Sequence, residues 1–125
     1  MTEAELKDRL KNFALRIIKL VDAMPQSISG RALSMQIVRS GTSPSANYRA
    51  ACIAKSERDF LNKLKMVEEE LDETAHWLEL IADSGLLPKE RLDDLRNENE
   101  QLLKIIVKSI TSTRKHLSET TIDKM

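Results

Sequence analysis

Residues 56–85 read SERDFLNKLKMVEEELDETAHWLELIADSG, and the spacing within them decides the fold. Phe60, Leu64, Val67, Leu71, Thr74, Leu78 and Ile81 recur at alternating intervals of four and three. At about 3.6 residues per turn, that interval draws one apolar seam along a helix buried on one side. Ser56 stands where an N-cap belongs, with Asp59 at the capping-box distance and Glu57 in the first turn, where the helix dipole favours an acid. Gly85 can adopt the left-handed conformation that ends a helix. Leu61, Trp77 and Leu80 lie beside the seam and predict a second apolar contact surface.

The same interval appears on either side of this segment. Upstream, Leu6, Leu10, Phe13, Ile17, Leu20 or Val21, and Met24 predict a first helix, capped by Thr2 with Glu5 and ended by Pro25. Leu15 and Ile18 widen its stripe towards more than one neighbour. Downstream, Pro88 suits a first helical turn, and Leu92, Leu95, Leu102, Ile106, Ile110 and Thr113 continue the pattern with Asn99 on the seam. Leu103, Ile105 and Val107 broaden that arc. Past His116 the chain turns polar, so residues 118–125 are expected to be a frayed tail outside a bundle of residues 1–117.

Between the first and third helices, Ser27 or Ser29 can cap a helix that carries Leu33, Ile37 and Val38. Residues 40–47, SGTSPSAN, would read alone as a loop, but residues 48–55 are helix-compatible and leave no room for a separate element. The reading is one long helix, kinked or broken near Pro44. Three glycines and three prolines in 125 residues leave few turns. The fold class is therefore all-α, an antiparallel up-down-up-down four-helix bundle.

Hydrophobic residues make up 41% and charged ones 32%, as in an ordinary globular domain. A single cysteine, Cys52, excludes a disulfide framework and points to a reducing, cytoplasmic setting. The charged N-terminus lacks a signal-peptide core, and no window is long and apolar enough to span a membrane. The formal net charge is zero, against a general attraction to nucleic acid or anionic lipid. The distribution is less even. Residues 25–56 hold Arg31, Arg39, Arg49 and Lys55 with no acid, whereas residues 57–83 carry a net charge of −6.

Candidate chemistry is sparse. Glu73 and His76 match a Glu-x-x-His metal-ligand spacing, but His116, the other histidine, has Thr113 where the second motif needs its Glu. Half a ligand set is missing, so no metal or other cofactor is expected. The acidic run Glu68-Glu69-Glu70 with Asp72 and Glu73 lacks a partner nucleophile, and Cys52 beside Ala50 and Ala51 reads as a small packing residue. Gly-rich phosphate loops and nucleophile elbows are absent from the sequence. No catalytic residue is assigned and no enzyme is expected. Arg39, Ser40, Ser43 and Asn47 share one helical face. They predict either a kink held by side-chain-to-backbone bonds or a polar network in which Glu70 or Glu73 answers Arg39; the two are compatible.

These same residues carry a resemblance. Residues 36–40 (QIVRS), 43–51 (SPSANYRAA), 59–60, 63–64, 67–70 (VEEE), 73–74 and 77–78 resemble the four-helix bundle proteins first known from intervening sequences of bacterial large-subunit ribosomal RNA genes. The resemblance covers nearly the whole chain. It implies a homopentamer, with Trp77, Leu80, Leu103 and Val107 as places to look for the interface. The family is also similar to accessory proteins of diversity-generating retroelements, basic pentamers that bind a reverse transcriptase and nucleic acid. This chain departs from them in its zero net charge. Two functional expectations stand: a self-assembling scaffold or adaptor presenting a surface to a protein partner, or an RNA- or DNA-binding assembly using Arg31, Arg49 and Lys55.

Overall fold

The computed structural model describes the backbone through Lys124 and the side chains through Thr120. Four helices follow one another: α1 over Glu3–Asp22, α2 over Ile28–Cys52, α3 over Glu57–Ser84 and α4 over Lys89–Lys124. No strand occurs among the described residues. Each helix packs along its neighbours in sequence, and α1 and α4 touch least. Connections of a few residues reverse the chain between helices, so the bundle runs up-down-up-down.

Local chemistry accounts for most of the boundaries. Thr2 accepts the Glu5 N–H at 3.1 Å, Ser27 accepts that of Gly30 at 3.1 Å, and Ser56 accepts that of Asp59 at 3.0 Å. Each cap satisfies one N–H that has no partner within its helix. Of the two possible caps for α2, the chain uses Ser27. Gly85 ends α3 with φ 75°, the left-handed conformation that costs other residues a steric penalty. The turn before α2 depends on Gly30. A Cβ there would stand 2.0 Å from the Pro25 carbonyl oxygen, so the chain folds back on itself only without a side chain.

Helix α2 is neither interrupted nor divided, and Pro44 lies inside it. Pro44 lacks the N–H that would bond the Ser40 carbonyl, a defect of about 3 kcal/mol in a helix interior. Burial of Pro44, Ser40 and Gly41 in the tertiary interface overrides that preference. The small residues that resemble a loop in sequence are where α1 comes closest. A Cβ on Gly41 would lie 2.7 Å from Ile17 Cγ1 and 2.8 Å from its Cγ2.

The seams meet as their spacing requires. Leu6, Leu10, Phe13, Ile17, Leu20 and Met24 of the first segment are buried, and Leu20 rather than Val21 completes the stripe. Leu64, Val67, Leu71, Thr74, Leu78 and Ile81 are fully buried, as are Leu92, Leu102 and Ile106. Phe60 and Thr113, at the ends of their seams, are half-buried. The backbone of α4 stays helical through Lys124, while Met125 lies outside the described residues. Nothing after Pro88 breaks the helix, and Thr120 Oγ1 donates to the His116 carbonyl at 2.9 Å along that extension.

Gly41→Val is expected to destabilise the fold by about 1–3 kcal/mol through overpacking against Ile17. In a urea-denaturation double-mutant cycle with Ile17→Ala, the coupling should reach about 0.5–3 kcal/mol. Additive behaviour would show that α1 and α2 do not depend on this approach.

Candidate functional site

The polar side chains collect mainly where α2 meets α3. Ser40 and Thr74 are both fully buried, and their hydroxyl oxygens share a hydrogen bond at 2.9 Å. Thr74 Oγ1 also lies 2.8 Å from the Glu70 carbonyl. One hydroxyl proton cannot serve both, so Thr74 donating back to Glu70 leaves Ser40 to donate to Thr74. Beside Ser40 and farther out, Arg39 reaches across the same seam. Its Nη1 stands 3.1 Å from Glu70 Oε2 and its Nη2 2.5 Å from Glu73 Oε1. Arg39 holds the Glu73 carboxyl below its usual range, partly opposed by burial, and the carboxylate in turn raises the guanidinium. Arg39 is half exposed at 50%, so this pair sets geometry more than it stabilises the fold.

The four α2 residues that share a face in sequence divide into two pairs. Arg39 and Ser40 bond across to α3, whereas Asn47 Nδ2 donates to Ser43 Oγ at 2.9 Å within α2 itself. Trp77 is half-buried beside the core, with the His76 ring centroid 5.1 Å away. Its Nε1–H is buried without a partner of normal hydrogen-bond geometry, and its remaining attraction is to the Glu73 carboxylate, which it helps to keep low. Glu73 is thus occupied by Arg39 and His76 is exposed, so the Glu-x-x-His spacing does not converge on a common point. No three metal-ligating side chains gather among the described residues.

Several features have no local signature. Across the α1–α4 seam, Arg9 grips Glu98 through two bonds of 2.9 and 2.7 Å and adds Gln101 at 2.9 Å. These partners are about 90 residues apart in sequence, and no spacing rule connects them. His116 Nδ1 lies 2.8 Å from Glu57 Oε2, joining α4 to the start of α3. In the α3–α4 seam Asn99 is buried and donates from Nδ2 to the Leu71 carbonyl at 3.0 Å, while its Oδ1 has no partner among the described residues. Cys52 is half-buried; burial and the nearby Glu3 carboxylate push its thiol up, and burial raises the Tyr48 hydroxyl to about 12. A thiol held protonated is a poor nucleophile.

Several grooves follow the helix seams among the described residues, and three of them bear on the polar and charged residues above. One of about 410 Å³ between α3 and α4 is lined by Leu78, Glu79, Arg96, Asn99, Glu100 and Leu103 among others. A second, lined by Glu68, Glu69, Asp72, Leu103 and Val107, continues it along the same pair of helices. The third, of about 360 Å³ between α1 and α2, is lined by Lys7, Asp8, Lys11, Ser45 and Arg49. Arg31 and Lys55 are exposed on the surface near the two ends of α2. Arg31 and Arg49 are thus exposed, and so is Arg39, but its charge is answered by α3.

Four consecutive antiparallel helices, buried apolar seams interrupted by a few polar groups, and surface grooves define a four-helix bundle protein. The chain belongs to the 23S rRNA-intervening sequence protein family, whose model matches residues 2–108. Among solved structures it is similar to a protein of unknown function from the S23 ribosomal protein family of Bacteroides thetaiotaomicron VPI-5482. The two share 34% identity over 89% of this chain and 99% of that one, with a TM-score of 0.83. No curated protein matches the chain. Among the described residues, no helix is long and apolar enough to cross a membrane.

Replacing Asn99 by Leu removes an unpartnered buried oxygen and leaves the Leu71 carbonyl its own helical N–H. Asn99→Leu is expected to match or exceed wild-type stability in urea denaturation. A loss of more than about 2 kcal/mol would mean that the amide makes a second buried hydrogen bond, through water or a partner.

Proposed function

We propose that this chain is a non-enzymatic scaffold or adaptor that works as a homo-oligomer, presenting a composite surface to a protein partner. The observation that carries the reading is the apolar surface left over once the core is complete. Ile28 and Met35 are 84% and 73% exposed along the outer side of α2, Ile53 just past its C-terminus is 83% exposed, and Leu15, Ile18 and Val107 are exposed on α1 and α4. Single exposed apolar residues are ordinary, but several at helical spacing on one element are what an interface leaves uncovered in an isolated subunit. Burial and the nearby Glu3 push the Cys52 thiol up, and the acidic run lacks an oriented base, which favours a binding role over a reaction. A pentamer is the number implied by the family resemblance.

Sedimentation velocity or light scattering at micromolar concentration should give a multiple of 14.2 kDa, and five times that mass for a pentamer. A monomer under those conditions removes the basis of this reading.

A second reading, an RNA- or DNA-binding assembly, is favoured by the α1–α2 groove, where Lys7, Lys11 and Arg49 face a common space beside Asp8, with Lys7 also 3.5 Å from Glu3. Oligomerisation would repeat that groove, together with Arg31 and Lys55, once per subunit. Fluorescence anisotropy with short duplexes and single strands should then show affinity falling steeply between about 50 and 200 mM salt as counterions are released. Arg31→Glu with Lys55→Glu should abolish binding and leave the helical circular dichroism unchanged; retained binding rules this version out.

A further inference from the structure

The α1–α4 seam changes character along its length. At one end the Arg9 guanidinium is held by Glu98 and Gln101 of α4. Two turns on, Arg16 brings the next cation of α1 to the seam, with Lys19 beside it. The α4 residues there, stepping back from Glu98 at intervals of three and four, are Leu95 and Arg91. A third cation thus stands where a carboxylate would answer the other two. Arg16, Lys19 and Arg91 line a groove of about 220 Å³ over Leu20 and Leu95, with no acid in its wall. All three are exposed, and none makes a side-chain hydrogen bond or ion pair among the described residues. Asp22 and Asp94, one turn from Lys19 and Arg91, stay outside ion-pair distance. In a chain of zero net charge, three unanswered cations meeting in one groove are a local excess, and a bound anion would relieve their repulsion.

Size and charge narrow the choice of anion. The volume lies below the roughly 300–1,000 Å³ of pockets that enclose drug-sized ligands, so a small ion or the terminal group of a longer molecule fits. A carboxylate brings a single charge, whereas a phosphate monoester carries about −1.5 to −2 near neutral pH. Two guanidinium forks suit phosphoryl oxygens, each able to give two parallel N–H···O bonds, with Lys19 as a point charge. We infer that this groove binds a compact phosphoryl anion of two or more charges, either free pyrophosphate or the terminal phosphate of a monoester. Arg16 and Arg91 clamp the oxygens, Lys19 supplies further charge, and Leu20 and Leu95 shield one side of the ion from water. The site is separate from Arg31, Arg49 and Lys55, and it stands whether or not those residues contact RNA or DNA. A backbone phosphodiester, with one charge per phosphate, fills it less well than a terminal phosphate.

The test is isothermal titration calorimetry of the full-length chain at fixed ionic strength, with sodium pyrophosphate as the probe. One saturable site per chain is expected. Arg16→Ala and Arg91→Ala, each checked for unchanged helical circular dichroism, should weaken binding about tenfold or more. Arg31→Ala, which alters an exposed cation elsewhere, should leave it unchanged. A second readout needs no variant: pyrophosphate should raise the thermal midpoint by mass action, and sodium chloride of equal ionic strength should not. Two pairs of probes then separate the sources. Adenosine 5′-monophosphate is compared with adenosine, and a short single strand bearing a 5′-phosphate with the same strand ending in a 5′-hydroxyl. Tighter binding of the phosphorylated member, lost in Arg91→Ala, assigns the groove to a terminal phosphate. Binding of pyrophosphate alone assigns it to the free ion. The inference is overturned if no saturable binding occurs, if citrate binds as tightly as pyrophosphate, or if Arg31→Ala weakens binding as much as Arg91→Ala. Equal, Arg91-dependent binding of the two strands also overturns it, because the groove then serves the nucleic-acid backbone.

Discussion

Helix α2 fits between α1 and α3 because its middle carries almost no side-chain bulk. Ser40, Gly41, Thr42, Ser43, Pro44, Ser45 and Ala46 form a thin stretch, with Ile17 of α1 pressed against Gly41 on one side and Thr74 of α3 against Ser40 on the other. A longer side chain at either contact would move one helix outward and open a void in a seam of otherwise fully buried Leu, Ile and Val. The proline belongs to the same arrangement. It sacrifices one backbone hydrogen bond but contributes a compact, rigid, buried surface where space is shortest.

Polar groups placed in this close contact act on register rather than on net stability. Apolar ridges can slide by a helical turn at modest cost, but the Ser40–Thr74 hydrogen bond exists in one alignment only. With that alignment set, Arg39 lies within reach of Glu70 and Glu73, and the exposed ion pair follows from the buried hydroxyls. Asn99 performs a related task between α3 and α4 through the Leu71 carbonyl, but half of its amide remains unanswered. The α3–α4 side is accordingly the less finished half of the subunit, and it is also where the acidic grooves lie.

Much of this is visible in the sequence because its causes are local or periodic. Caps act over three residues, so Thr2 and Ser56 are legible, and a four-three spacing assigns Leu64 to Ile81 to one buried line without knowledge of its partner. The charge contrast between residues 25–56 and 57–83 also anticipates that Arg39 meets the α3 acids. What stays hidden depends on residues distant in sequence. Nothing near Arg9 announces Glu98, and nothing near Lys7 and Lys11 announces Arg49. Pro44 could be read as a kink or a break because its helical context is set by tertiary burial, which overrides local preference. The extension of α4 to Lys124 was obscured in a different way. Its polar residues lack a seam, but a helix already under way needs only the absence of a breaker to continue.

The order in which the helices touch also constrains how the chain acquires its shape. Contacts between α1 and α2, α2 and α3, and α3 and α4 each close a hairpin of neighbouring segments, so most of the loop-closure entropy is spent over short chain lengths. Only the α1–α4 seam joins the two ends of the molecule, and the bidentate Arg9–Glu98 grip crosses it. Low contact order of this kind goes with rapid folding. The bundle can accumulate as successive hairpins, and the meeting of its first and last helices then serves as a clasp on a core already formed.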